Sequence, residues 1–319
     1  MLKKINLTRL AIVLFASSFV LLGCSKYGDY FQHGGNTSKK TIAEIVAASP
    51  DYKLLKIALK KTGLTDALDK PGTLTVFAPD NKAFAAAGFP DAAAIDAAPV
   101  DVLKDILLYH VIGSKIKAGD IPVADNTPVS TLNTKAVFVT KKDGKVSVNG
   151  ASVVKADIAA SNGVIHGINK VLLPPSKNIV EIAQGNPDFT YLVAAVLRAS
   201  AGTTNVAALL TGDGPLTVFA PTNQAFINAG FPTIESINAA NPDDLTPILA
   251  YHVIGARVFS TNLADGIMPA TLNGGTVTIG LAGGATVKGN TNTTPSNIVA
   301  VDILATNGVV HVIDQVLLP

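Results

Sequence analysis

Four of the five histidines in this 319-residue chain form two matched pairs. His110 and His252 each follow a tyrosine, as Tyr109-His110 and Tyr251-His252, and His166 and His311 each follow an aspartate, Asp157 or Asp302, at the same distance. Two imidazoles and a carboxylate are a ligand set that zinc accepts, the carboxylate serving to orient a ring. The spacing argues against that chemistry. His110 and His166 lie far apart in the chain with no short paired-ligand run, and a histidine inside an apolar strand such as Val164-Ile-His-Gly-Ile168 reads as a packed side chain with its hydrogen bonds satisfied internally. No metal and no cofactor is expected. Nor is a catalytic group, because the chain has no Gly-x-Ser-x-Gly elbow, His-Glu-x-x-His helix, phosphate-binding loop or dinucleotide glycine fingerprint. Asp243-Asp244 follows Asn241-Pro242 at a helix start, where carboxylates stabilise the positive helix end. The pairs Tyr109-His110 and Tyr251-His252 are the candidate binding or structural motif, with support of the fold as the favoured role.

The remaining group of chemical interest is Cys24, the only cysteine. Lys3, Lys4 and Arg9 precede an uncharged apolar run from Leu10 to Leu22 that is short for a bilayer span. Residues 1–23 read as a signal peptide. The junction Leu21-Leu22-Gly23-Cys24 resembles the bacterial lipobox, which implies lipidation of Cys24. Acyl chains bury about 0.8 kcal/mol per methylene in a membrane, so the expectation is a lipid-anchored protein of the cell envelope, at the outer membrane or the cell surface. Residues 24–40 are rich in Gly and polar types and read as a tether.

Composition allows packed cores, with 48% hydrophobic and only 15% charged residues. Charge is uneven: residues 41–174 hold fifteen Lys/Arg against thirteen Asp/Glu, and residues 178–319 hold three against nine. Neither half offers the clustered basic face that a phosphate backbone requires, so nucleic acid is excluded as a partner.

These residues recur because the chain is written twice. Gly72-Thr-Leu-Thr-Val-Phe-Ala-Pro-Asp-Asn-Lys-Ala-Phe84 returns as Gly214-Pro-Leu-Thr-Val-Phe-Ala-Pro-Thr-Asn-Gln-Ala-Phe226, Tyr109-His-Val-Ile-Gly113 as Tyr251-His-Val-Ile-Gly255, and Asn162-Gly-Val-Ile-His166 as Asn307-Gly-Val-Val-His311. A repeat of this length closes its own core rather than borrowing a neighbour's. Two domains follow, 41–174 and 178–319, joined by residues 175–177. Within each, Thr41-Ile-Ala-Glu44 and Asn178-Ile-Val-Glu181 spell capping boxes. Ser49-Pro-Asp51 and Asn186-Pro-Asp188 open a second helix with Tyr52, Leu55 and Leu59, or Phe189, Leu192 and Val196, on its buried stripe. Leu74–Ala78 and Leu216–Ala220 are strands, Asp80 and Thr222 cap short helices, and Gly88 and Gly230 end them. A longer helix then runs into each Tyr-His pair. Later segments alternate as antiparallel strands, Val137–Val139 with Val146–Val148 and Thr276–Ile279 with Ala285–Val287. Helices first and strands later describe an α+β domain.

The Thr-Val-Phe-Ala-Pro-x-Asn-x-Ala-Phe block, the Tyr-His pair and the Asn-Gly-Val-[Ile/Val]-His block together resemble the fasciclin (FAS1) domain, in both copies. The resemblance implies two tandem domains, each a wedge-shaped β-sandwich with packed helices. It also implies an adhesion or interaction role, and the Tyr-His pairs match a motif implicated in adhesion for some animal members. The expected function is that of a membrane-anchored surface lipoprotein holding an extracellular or envelope protein. A polysaccharide is the alternative ligand, against which stands the complete lack of Trp.

Overall fold

The computed structural model describes residues 40–319. The expected signal peptide, Cys24 and the tether up to residue 39 lie outside the described residues. The first copy runs α1 (Ile42–Ala48), α2 (Lys53–Thr62), α3 (Thr65–Asp69), β1 (Leu74–Pro79), α4 (Asn81–Ala86), α5 (Ala92–Ala97), α6 (Val100–Tyr109), β2 (Val111–Ile112), β3 (Thr127–Ser130), β4 (Ala136–Lys142), β5 (Lys145–Val148), β6 (Ala151–Ala160) and β7 (Gly163–Ile168). The second repeats it with β3 reduced to a single bridge, Ala270 to Thr276: α7 (Ile179–Gln184), α8 (Thr190–Ala199), α9 (Val206–Thr211), β8 (Leu216–Pro221), α10 (Asn223–Asn228), α11 (Ile234–Ala239), α12 (Pro242–Tyr251), β9 (Val253–Ile254), β10 (Thr278–Gly280), β11 (Thr286–Lys288), β12 (Ser296–Ala305) and β13 (Gly308–Ile313).

Local chemistry accounts for the helix starts. Both capping boxes form, Thr41 with Glu44 and Asn178 with Glu181, and Asp80 and Thr222 accept the amides of Ala83 and Ala225. Gly88 and Gly230 take φ of 90° and 96°, and the amides of Phe89 and Phe231 return to the carbonyls of Phe84 and Phe226. One expectation needs correction. Pro50 and Pro187 do not start the second helix directly but open single 3₁₀ turns, Pro50–Tyr52 and Pro187–Phe189, and the α-helix begins after them. The buried aromatic that closes each turn (Tyr52 or Phe189) has a backbone outside the α region, with φ −110° and −113°, which separates the two helical segments.

The strands are not all antiparallel, as the sequence reading expected. In the first copy the order is β2-β1-β7-β6-β5-β4-β3, and β1 lies parallel to β7 with Leu74 opposite Gly163 and Phe77 opposite His166. The second copy has the order β10-β11-β12-β13-β8-β9, with β8 parallel to β13 in the same register. The parallel pair joins the first and last strands of each copy, a long-range pairing that hydrophobic periodicity cannot reveal. Gly163 and Gly308 open β7 and β13 because a Cβ there would sit 2.1 Å and 2.2 Å from the carbonyl oxygens of Leu74 and Leu216.

The sheet folds over on its long strand. In β6 and β12 the register slips twice, and Asp157 and Asp302 sit in these bulges with φ of 57° and 65°. Bulges bend a strand and increase its twist. As a result Phe77, Ile112 and Ile168 from one part of the first sheet meet Val137, Val139 and Val148 from the other, around Tyr109. Phe219, Ile254 and Ile313 meet Val277, Ile279 and Val287 around Tyr251 in the second copy. The outer face of β1 and β7, or of β8 and β13, carries the helical layer over a second core. Each copy is therefore an α+β unit with a folded-over sheet and packed helices. Each fully buried aromatic or branched aliphatic side chain in these cores contributes roughly 1.5–3 kcal/mol through removal from water.

Candidate functional site

Tyr109 and Tyr251 end α6 and α12, and the apolar stripes of those helices carry both rings into the sandwich core, where neither is exposed. The Tyr109 hydroxyl donates to the carbonyl of Ala136 (2.8 Å) and accepts from Asn149 Nδ2 (2.9 Å). Burial pushes its pKa up to about 12, partly offset by the Asn149 bond. Tyr251 donates to the carbonyl of Thr276 and accepts the amide of Asn290 (3.0 Å). Each pair thus ties the end of a helix to the far half of the folded sheet.

The adjoining histidines cap the same helices. His110 Nδ1–H donates to the carbonyl of Ile106 (2.7 Å), and its Nε2 accepts the amide of Leu172 (2.9 Å). His252 repeats this with Ile248 (2.7 Å) and Leu317 (2.8 Å). An imidazole that donates through one nitrogen and accepts an amide through the other is neutral and of a single tautomer. Desolvation lowers the pKa of both to about 4.

The second histidine pair is used the other way round. His166 Nε2–H donates to the carbonyl of Ile116 (2.9 Å) and Nδ1 accepts the amide of Asp157 (3.2 Å). His311 does the same with Val258 (2.9 Å) and Asp302 (3.4 Å). The aspartates therefore meet their histidines through backbone, not through carboxylate. His166 and His311 lie against the rings of Phe77 and Phe219, with centroids 5.8 Å and 5.7 Å apart. In all four histidines the lone-pair nitrogen faces a backbone amide, which leaves no donor for a metal. Among the described residues no three His, Cys, Asp or Glu side chains converge on a metal position. The sequence motifs thus gather at two sandwich interiors, with His166 at the wall of a cavity of about 290 Å³ that Thr75 and Phe77 also line.

Sequence reasoning passed over the asparagines of the same blocks. Asn162 Oδ1 accepts the amide of Ile42, and its Nδ2 donates to the carbonyls of Leu68 and Lys70. Asn307 holds Ile179, Leu210 and Gly212 in the same way. Asn81 and Asn223 join the amides of Leu54 and Tyr191 to the carbonyls of Pro50 and Pro187. Thr75 and Thr217 bridge Ser114 to Ile116 and Ala256 to Val258. Recurrence of the same polar residue inside both apolar blocks was the available signal.

The copies differ on their surfaces. Asp157 is exposed and caps only the amide of Ala118 (2.9 Å). Asp302, its counterpart, has a side chain 4% exposed at the joint between the domains. It accepts the amide and hydroxyl of Ser260 and pairs with Lys170 of the first domain at 2.6 Å. Gly150 is needed beside it, since a Cβ there would lie 2.3 Å from the Asp302 carboxylate. Around this pair, Arg257 stacks over Phe138 at 4.1 Å, Phe138 and Phe259 lie 6.3 Å apart, and Asn262 donates to Asp125 and Thr140.

A family model described as the fasciclin domain matches residues 50–174 and 187–319. Among curated proteins, the transforming growth factor-beta-induced protein ig-h3 of Sus scrofa is 32% identical over 256 residues, 79% of this chain and 35% of that protein. Periostin of Homo sapiens is 29% identical over 258 residues, 80% of this chain and 29% of its own length. Protein sll1483 of Synechocystis is 43% identical over 140 residues, 43% of this chain and 76% of that protein. The chain thus spans about a third of the length of the ig-h3 and periostin relatives. Among solved structures, a FAS1 domain pair from the insect cell adhesion molecule fasciclin I matches 83% of this chain and 97% of its own, at 19% identity and a TM-score of 0.41.

Proposed function

The chain belongs to the fasciclin domain family, and from that premise we propose that it is an adhesion or interaction lipoprotein of a cell envelope, anchored through Cys24 and holding an extracellular or envelope protein with its tandem domains. The observation that carries this reading is where the polar motif residues go. Tyr109, His110, Tyr251 and His252 have their polar atoms bonded within the fold, so the motif residues build a scaffold and recognition falls to its surface. Reaction chemistry needs a group held ready for a substrate, and none of these is. Their role is positioning: they lock the folded sheet against the helices so that surface groups keep fixed places.

A protein ligand fits this surface better than a polysaccharide. Among the described residues every Tyr and Phe is buried or half-buried, so there is no exposed aromatic strip for sugar rings to stack on. No helix among the described residues is long and apolar enough to cross a membrane, and attachment in this reading rests on the lipid at Cys24. Two domains on one anchored chain, and many chains on one membrane, convert weak contacts into avidity.

The test is capture by the full chain on paired arrays of envelope or matrix proteins and of polysaccharides. Selective protein capture supports the reading, and selective glycan capture replaces it. Cys24→Ser should move the protein from the membrane to the soluble fraction without altering capture; membrane retention of that variant removes the anchor.

A further inference from the structure

The two copies carry the same helical groove with opposite linings. In the first, α1, α2 and α3 enclose a groove with Ala43, Val46 and Leu59 on its floor and Lys56, Lys60, Thr65 and Asp66 on its rim. In the second, α7, α8 and α9 form the equivalent groove. The helices align through shared anchors: Thr41 and Asn178 cap α1 and α7, and the carbonyls of Leu68 and Leu210 receive Asn162 and Asn307. In this alignment Lys56 becomes Val193, Lys60 becomes Leu197, Thr65 becomes Ala207 and Asp66 becomes Ala208. These four polar rim positions have turned aliphatic, and Gln184, in place of Ala47, is the polar side chain that the second groove keeps on α7.

Scattered exposed leucines are ordinary on a protein surface. Here, however, Leu197 is 60% exposed and lies with Val180, Ala183, Val193 and Ala207 around one concave surface, and an apolar patch of that kind marks a contact site. Beneath Val180, Ala183, Val193, Val196 and Leu197 the groove opens into a cavity of about 90 Å³ that reaches Val218, Leu249 and His252 in the core. A cavity of about 150 Å³ admits benzene, so this one suits the tip of an aliphatic side chain rather than a free ligand.

Charge narrows the occupant further. Helix α2 carries Lys53, Lys56, Lys60 and Lys61, whereas α8 keeps only Arg198, whose Nε is bonded to the carbonyl of Ala240 at 2.8 Å. Apart from Lys177 just before α7 and Arg198, the charged residues on these three helices and their flanks are acidic: Glu181 on α7, Asp188 before α8 and Asp213 beyond α9, all exposed. The domain as a whole holds three Lys/Arg against nine Asp/Glu. Such a surface repels an anionic bilayer and draws a cationic partner.

We propose that the α7–α8–α9 groove of the second domain is the docking site for a helical segment of a partner protein that presents aliphatic side chains flanked by lysine or arginine. An apolar helix face laid into an apolar groove is a recurrent mode of peptide recognition. The assignment rests on the reading of the chain as a protein-binding module and names the surface that binds.

The test titrates the full chain with a fourteen-residue peptide of Leu and Lys at amphipathic helical spacing, followed by fluorescence anisotropy of a label on the peptide. Matched Leu/Glu and Ala/Lys peptides are the controls. The Leu/Lys peptide should bind, both controls should bind at least about tenfold more weakly, and V193K/L197K, which restores the pattern of the first domain, should lose at least about tenfold with unchanged melting. If the double variant melts early, L197K alone serves, since Leu197 already faces solvent. Equal binding by the variant, by either control peptide, or by phosphatidylcholine vesicles through the same residues overturns the site. Array capture of a protein that survives V193K/L197K would likewise sink the groove while leaving the adhesion reading standing. Peptide binding that depends on the groove, beside an array with no protein captured, would leave the groove and remove that reading.

Discussion

The two domains share an interior and differ at the surface. His110 and His252, and Asn162 and Asn307, make the same bonds to equivalent partners in both copies, and Tyr109 and Tyr251 donate to equivalent carbonyls while accepting from a side-chain amide in one copy and a backbone amide in the other. Asp157 and Asp302 occupy the same bulge, yet one faces solvent while the other holds the neighbouring domain. The grooves between the first three helices diverge in the same way, cationic in one copy and aliphatic in the other. A buried polar group left without its partner is costly, whereas a surface side chain is usually neutral to replace. Duplication of such a domain therefore keeps its staples and frees its rim, and the differences between copies point to what each touches.

The largest expected effect tests the claim that the interiors are equivalent. Asn162→Ala and Asn307→Ala each remove a side chain with three backbone partners, and each should destabilise its own domain by about 3 kcal/mol. Hydrogen exchange read by mass spectrometry resolves the copies. A marked loss in one domain and none in the other would break the equivalence.

Acid should act on both copies through the histidine of the Tyr-His pair. Burial depresses His110 and His252 to about 4 in the folded protein, against an ordinary value of 6.5. The unfolded chain therefore binds more protons between those values. The stability present above pH 6.5 should fall as pH drops toward 4, by up to roughly 3 kcal/mol per histidine. His110→Gln and His252→Gln should each flatten part of the slope in a pH series of denaturation midpoints, and a slope unchanged in both variants would remove the histidines as its source.

The smallest effect sharpens the difference between the bulge aspartates. Asp302→Asn retains an oxygen for Ser260 but loses the charge that holds Lys170, and should cost about 2 kcal/mol and loosen the domain joint. Asp157→Asn should cost less than about 0.5 kcal/mol. Small-angle scattering checks the joint: a broader size distribution is expected for Asp302→Asn alone, and equal behaviour of the two variants would erase the distinction.

Much of the fold was legible because local signals agreed. The capping boxes at Thr41 and Asn178, the helix stops at Gly88 and Gly230, and the hairpin around Asp143-Gly144 stand where the sequence put them. The short helices α3, α5 and α9 were not legible, each being only five or six residues long and too brief to show a period. The Tyr-His pairs were legible as a motif, but not their partners, since Leu172 and Leu317 lie far along the chain.

By itself the sequence determined the duplication, the α+β class, the family and the residues that recur in both copies, because these depend on spacing, capping and apolar pattern, which are properties of neighbours in the chain. Only the tertiary structure decided the parallel pairing of β1 with β7 and β8 with β13, the closure of the four repeated histidines by backbone, the burial of Asp302 against Lys170, and the convergence of Val193, Leu197, Ala207 and Leu210 around one groove. Those features depend on which distant segments meet, and that is settled by burial of the whole apolar surface rather than by any stretch of residues.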